Sequence, residues 1–248
     1  MEKKDDKFEW SAKEMISKKF RSMNVNFSHD IEQLTNDLCQ DIKNQLVQGL
    51  QFKDNLWLVL SGGNTPKELY EKLSTQNIDW PRIHISLTDE RCVPVDTDKS
   101  NEFMLKTHLL KNNAKKANFH SLIDAVNSHS SQKRGLFDIY SQKKSIDLLL
   151  LGVGEDGHTA SLFSESANLA SSLDKKNKQL YTRLKLSCES YDRITLNYNL
   201  LSKSKKAYLF FKGPRKIEVI EKALKSDDPM KYPILKFLKM PIKIFFTS

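Results

Sequence analysis

A chain of 248 residues with a formal net charge of +9, 39% hydrophobic and 29% charged, is long enough to bury a sizeable core and reads as one α/β domain. No run of 18 apolar residues exists to span a membrane, and the opening Met1-Glu-Lys-Lys-Asp-Asp-Lys7 lacks the apolar centre of a secretory signal, so the cytoplasm is the expected compartment. Cys39, Cys92 and Cys188 stand too far apart for CxxC metal or redox pairs and argue against a disulfide framework.

The positive charge is spread out. Lysines mostly sit beside acids, as in Lys3-Lys4-Asp5-Asp6, and are not clustered with interleaved aromatics as in a nucleic-acid surface. A solvated lysine-rich surface with one site for an anionic small molecule is the expectation, with neither a nucleic-acid nor a membrane partner.

Residues 1–19 are charged and poorly patterned, and read as an extension to a domain spanning 20–248. Phe20 to Phe27 alternates apolar and polar residues, the mark of a half-buried strand. Ser28 is placed to cap a helix whose inner face carries Ile31, Leu34, Leu38, Ile42, Leu46 and Leu50. A buried strand over 55–60 follows and runs into Ser61-Gly-Gly-Asn-Thr-Pro66. Pro66 suits the first turn of a helix, with Thr65 as its cap. Gly62 and Gly63 let the backbone approach a ligand, and the helix end favours an anion. The loop lacks the GK[ST] ending of a Walker A motif.

A third strand over 82–88 ends in Asp89-Glu-Arg91, three charges expected to lie outside the core. A turn-rich loop over 92–101 and a helix over 102–110 come next, then a short edge strand near Phe119 and a connecting helix within 124–144. The fourth strand, 145–151, is a continuous apolar run suited to burial on both faces. It breaks at Gly152, Gly154 and Gly157, with Asp156, His158, Thr159 and Ser161 at the tip, where a helix is expected to start. The glycine pattern is not the dinucleotide fingerprint, because histidine follows the third glycine directly. After a loop over 164–179 come strands over 181–186, 193–197 and 206–211, a Pro214-opened helix reaching Leu224, a short helix within 226–239 and a last strand over 241–246.

Strand–loop–helix units repeated in this way predict a Rossmann-like three-layer sandwich, a mostly parallel sheet with helices on both faces. Right-handed crossovers would place the ends of strands 55–60, 83–88, 146–151 and 206–211 at one edge, where open α/β sheets bind ligands. That arrangement gathers Thr65, Asp89, Arg91, His158 and Lys216 into one cleft. The other histidines, His29, His84, His108, His120 and His129, have no ligand spacing, so no metal site is expected.

Five segments together resemble the 6-phosphogluconolactonases: Ser61–Pro66, Asp89–Pro94 with Ser100-Asn101, Leu151–Phe163, Arg193–Leu196 and Gly213–Lys216. Gly-His-Thr-Ala-Ser-Leu-Phe163 is the most specific of them. Asn64 stands where these enzymes usually carry serine, and its amide can donate to phosphate in the hydroxyl's place. The resemblance implies a NagB-like fold and hydrolysis of 6-phospho-D-glucono-1,5-lactone in the pentose phosphate pathway, without metal or organic cofactor, by a monomer. It implies phosphate binding by Gly62, Gly63, Asn64, Thr65, Arg91, Arg193 and Lys216. His158 becomes the general base, oriented by Asp156 or Asp89, with amides of the Gly152–Gly157 loop facing the oxyanion. Glucosamine-6-phosphate deamination and non-catalytic binding of a sugar phosphate are the alternatives.

Overall fold

Leu148–Leu151 form strand β6, and all four leucines are buried. Leu149 and Leu151 point into one core and Leu148 and Leu150 into the other, so the run lacks polar alternation because both faces of the strand are covered. The computed structural model describes residues 24–127, 145–186 and 190–247. The expected 1–19 extension, the start of the first strand at 20–23, most of the connecting segment 124–144, His129 and Cys188 lie outside those residues.

β6 occupies the middle of a seven-stranded sheet in which every pairing is parallel. The other strands are β1 (Asn24–Phe27), β2 (Leu56–Leu60), β3 (Ile83–Leu87), β5 (Asn118–Phe119), β9 (Lys206–Lys212) and β10 (Ile242–Thr247), in the order β1-β10-β9-β6-β2-β3-β5. Helices α1 (Ile31–Leu50), α2 (Lys67–Ser74) and α3 (Asn101–His108) cover one face, packed on Leu58, Leu60, Ile85 and Tyr208. Helices α4 (Leu122–Asn127), α6 (Tyr198–Leu201), α7 (Pro214–Ser226) and α8 (Ile234–Leu238) cover the other, against Val59, Leu209, Phe211 and Phe246. A short helix, α5 (Leu169–Ser172), lies within the predicted loop over 164–179. The molecule is therefore the expected single-domain three-layer sandwich, and no described helix is long and apolar enough to cross a membrane.

A second sheet differs from expectation. β4 (Asp89–Arg91), β8 (Arg193–Leu196) and β7 (Tyr181–Leu184) form an antiparallel sheet in the order β4-β8-β7, so the acidic tail of the third strand is itself a strand. Glu90 is only 1% exposed, contrary to its reading as an outside charge. Its carboxylate accepts from the backbone N–H of Arg91 at 2.7 Å, Asn101 at 2.8 Å and Glu102 at 2.6 Å, and from Ser100 Oγ at 3.1 Å. It thus takes up free amides at the start of α3, where the helix dipole also favours an anion. Helix starts shift as well. Asp30, not Ser28, caps α1 by accepting from Glu32 and Gln33 N–H, while Ser28 Oγ accepts from Asp30 N–H. Helix α2 begins at Lys67, one residue after the proline, and Thr65 forms no cap hydrogen bond.

At the β2–β3–β5 end of the sheet, His84 Nδ1 and His120 Nε2 share a hydrogen bond of 2.8 Å, and Trp57 stacks on the His84 ring at 4.6 Å. Burial, followed by the neighbouring His84, pushes the His120 imidazole down to about 4. The folded protein therefore favours neutral His120, whereas the unfolded chain takes up a proton below about 6.5. The unfolded state binds more protons in that window, so this contribution is present above pH ~6.5 and is lost as the pH falls towards ~4. Urea titrations across that range should show a loss of up to roughly 3 kcal/mol from this group in the parent protein, and a visibly shallower loss in His120→Leu.

Candidate active site

The carboxyl ends of β2, β6 and β9 and the small sheet enclose a cleft of about 200 Å³. The Gly62–Thr65 turn forms one wall. Asp89, Arg91 and Arg193, from the adjacent strands β4 and β8, form another. His158 and Lys216 complete it, so every predicted site residue except Asp156 lines the same space. Asp156 stands behind the histidine.

The loop after β6 presents the imidazole by folding back on itself. Gly154 N–H donates to His158 O at 2.9 Å, Gly157 N–H donates to Gly154 O at 3.1 Å, and Thr159 Oγ1 donates to Gly152 O at 2.8 Å. No helix starts here; the chain instead makes a tight turn through Thr159–Leu162, with Ala160 at φ +50°. The expected oxyanion role is narrowed by the same contacts, since the Gly154 and Gly157 amides are engaged within the loop. Gly154 is required by contact: a Cβ there would lie 2.2 Å from the His158 ring. Gly62 is required similarly, because a Cβ would meet the Asn101 side chain at 2.0 Å.

His158 Nδ1 lies 2.5 Å from Asp156 Oδ1, which also accepts the His158 backbone N–H at 3.2 Å. Burial pushes the Asp156 carboxyl up, but the His158 hydrogen bond and charge outweigh it and leave the group below its ordinary value. Among the described residues Asp89 forms no hydrogen bond with the imidazole. Its carboxylate accepts from Thr88 Oγ1 at 2.9 Å and Ser161 Oγ at 2.6 Å and lies 3.9 Å from Arg193 Nη1. Of the two carboxylates, Asp156 is the one placed to fix the ring tautomer.

Three basic side chains, Arg91, Arg193 and Lys216, line the cleft. Burial lowers the Lys216 ammonium from its usual range, with Glu155 opposing, and no hydrogen bond to it occurs among the described residues. Such a group gains from an anionic partner, which repays part of its desolvation. Arg91 Nη1 donates to Lys99 O at 2.5 Å, while its Nε is buried without a partner. Arg193 is buried and donates from Nη1 to Ser161 Oγ at 3.4 Å. Among the described residues no group of three or more His, Cys, Asp or Glu is arranged to hold a metal ion.

Two residues of the site escaped the sequence reading. Asn101 lines the cleft and donates from Nδ2 to Asp89 O at 2.9 Å; its place in the Ser100-Asn101 motif was the available signal. Phe163 packs its ring 4.2 Å from that of His158, and nothing but its closing position in the most specific motif marked it. A larger hollow of about 620 Å³ lies at the opposite end of the sheet, beside Trp80–Arg82. Two of its polar side chains are engaged with backbone carbonyls: Trp80 Nε1 donates to Gln76 O, and Arg82 to the carbonyls of Leu50, Lys53 and Asp54. It therefore lacks the converging reactive groups of the smaller cleft.

The model of the family "Glucosamine-6-phosphate isomerases/6-phosphogluconolactonase" matches residues 29–242. A 6-phosphogluconolactonase of Pseudomonas putida is 33% identical over 217 residues, covering 88% of this chain and 90% of that protein. One from Helicobacter pylori is 37% identical over 195 residues, covering 77% and 83%. The crystal structure of a 6-phosphogluconolactonase from Shewanella baltica superimposes with a TM-score of 0.80 at 32% identity, covering 91% of this chain and 98% of that one. A monomeric glucosamine-6-phosphate deaminase shares the fold at 17% identity and a TM-score of 0.70.

Replacing Gly154 by alanine should leave the fold intact while pushing the imidazole off Asp156. A crystal structure of Gly154→Ala should show the 2.5 Å contact of the parent broken, with the thermal midpoint lowered by no more than a few degrees.

Proposed function

Since the chain belongs to the family of glucosamine-6-phosphate isomerases and 6-phosphogluconolactonases, we propose that it hydrolyses 6-phospho-D-glucono-1,5-lactone to 6-phospho-D-gluconate, with His158 as the general base. The observation that carries this reading is one cleft holding both the Asp156-bound imidazole and three basic side chains, Arg91, Arg193 and Lys216. A phosphorylated lactone has matching ends, a dianion at C6 and an ester carbonyl at C1.

The phosphate is held by the Gly62–Thr65 turn with Arg91, Arg193 and Lys216. Arginine offers a planar fork of donors and lysine a point charge, and each charge-assisted hydrogen bond contributes about 1.5–3 kcal/mol. The Asn64 amide donates where a hydroxyl would otherwise do so.

With Nδ1 tied to Asp156, His158 presents Nε2 to water. As the water oxygen bonds to C1, its proton moves to Nε2, and the carbonyl electron pair moves to oxygen. The tetrahedral intermediate then collapses: the bond from C1 to the ring oxygen breaks, and His158 returns the proton to that oxygen. The product is an open-chain acid, which ionises in water. Asp156 stabilises the imidazolium formed in between, and Asp89 serves the reaction through Arg193 and Ser161. These groups all come from one chain, in keeping with a monomer acting on a cytoplasmic sugar phosphate.

Initial rates with freshly generated lactone, corrected for spontaneous hydrolysis, test this directly. The protein should turn the lactone over and release no ammonia from glucosamine 6-phosphate; the opposite result would transfer it to the deaminase branch. His158→Ala should lower kcat by about 10²–10⁴-fold, and near-parental turnover would refute the base. Lys216→Ala and Arg91→Ala should raise KM for the lactone, and an unchanged KM in both would refute the anchor.

A further inference from the structure

The hydrogen bond between His158 and Asp156 fixes one ring atom, and its acceptor side chain is half exposed. One contact to one atom leaves the imidazole plane free to rock about that point. The plane is held from elsewhere. The Phe163 ring packs against the imidazole with 4.2 Å between centroids and 36° between planes. The Arg193 guanidinium lies over the same phenyl ring, its central carbon 5.2 Å from the ring centroid.

Phe163 is itself fixed. It is 8% exposed and packs with Leu184 and Leu186, and its carbonyl accepts from Ser166 N–H at 3.1 Å. Arg193 is restrained further by Tyr191, whose ring centroid lies 5.7 Å from its central carbon, and by Asp89 and Ser161. A single immobile phenyl group is thus in contact with the proposed base and with one of the proposed phosphate ligands. Aromatic faces attract cations, so the ring favours the guanidinium at all times and the imidazolium when it forms.

We propose that Phe163 is the positioning residue of this site, an aromatic spacer that sets the plane of the His158 imidazole and its separation from Arg193. This inference rests on the lactonase reading above. It assigns the length of the substrate, from phosphate to carbonyl, to a ring that touches neither end of it.

The variants Phe163→Leu and Phe163→Tyr separate this role from packing. Leucine keeps the apolar contact with Leu184 and Leu186 but removes the aromatic face, whereas tyrosine keeps the face and adds a hydroxyl. The spacer role requires Phe163→Leu to lose about ten-fold in kcat, the scale of a lost aromatic pair, with a several-fold rise in KM through Arg193. Phe163→Tyr should recover most of both, and thermal melts should show both variants folded. A packing role gives the reverse order, with leucine harmless and the buried hydroxyl costly. Either that order or parental kcat in Phe163→Leu would overturn the proposal. Parental protein that fails to hydrolyse the lactone at all would instead refute the underlying reading, and this inference with it.

Discussion

The backbone of Thr88 hydrogen-bonds in two directions, and the site depends on both. Its N–H donates to Leu60 O at the end of β2, and its carbonyl accepts from Leu196 N–H at the end of β8, each at 2.9 Å. Thr88 is fully buried, so neither bond competes with water. The first bond belongs to the large parallel sheet and the second to the small antiparallel one. Arg91 and Arg193 ride on the small sheet, while His158 and Lys216 follow strands of the large one. The junction thus ties the strands that carry one pair of residues to the sheet that carries the other.

Positive charge is concentrated beside that junction, where Arg91, Arg193 and Lys216 line one cleft. Thr88 Oγ1 and Ser161 Oγ donate to the Asp89 carboxylate, which lies 3.9 Å from Arg193 Nη1. Arg193 also lies over the rings of Phe163 and Tyr191, at 5.2 and 5.7 Å from their centroids. Lys216 is partly desolvated, which lowers its ammonium from the usual range, with the charge of Glu155 opposing. In the low local dielectric of such a cleft each electrostatic contact is stronger than it would be in water.

Much of the fold was legible because burial leaves simple marks. The uninterrupted leucines of β6, the Pro214 start of α7 and the 3.6-residue period of α1 each correspond to an element close to its expected bounds. The cleft was legible too, because parallel strands bring their carboxyl ends together and the chain places a polar motif after each. The small sheet was not. Asp89-Glu-Arg91 looks like a solvated turn by charge alone, and only the three-dimensional arrival of α3 shows why Glu90 is buried: its carboxylate occupies the backbone amides at that helix start. Ser28 and Asp30 are both good caps, and two residues of chain path decided between them. Phe163 was hidden for the opposite reason, since an apolar residue at the end of an apolar motif gives no sign that its ring packs against the His158 imidazole.

The sheet order has a consequence for how the protein is made. β1, near the start of the chain, pairs with β10, which ends at Thr247, and β10 in turn lies between β1 and β9. During synthesis β1 therefore lacks this partner until β10 has left the ribosome. Gly213 N–H donates to Thr247 O at 2.9 Å, so the turn that opens the Lys216 helix is seated by the same late segment. Until β10 folds in, β9 lacks this neighbour and the turn that opens the Lys216 helix lacks this anchor.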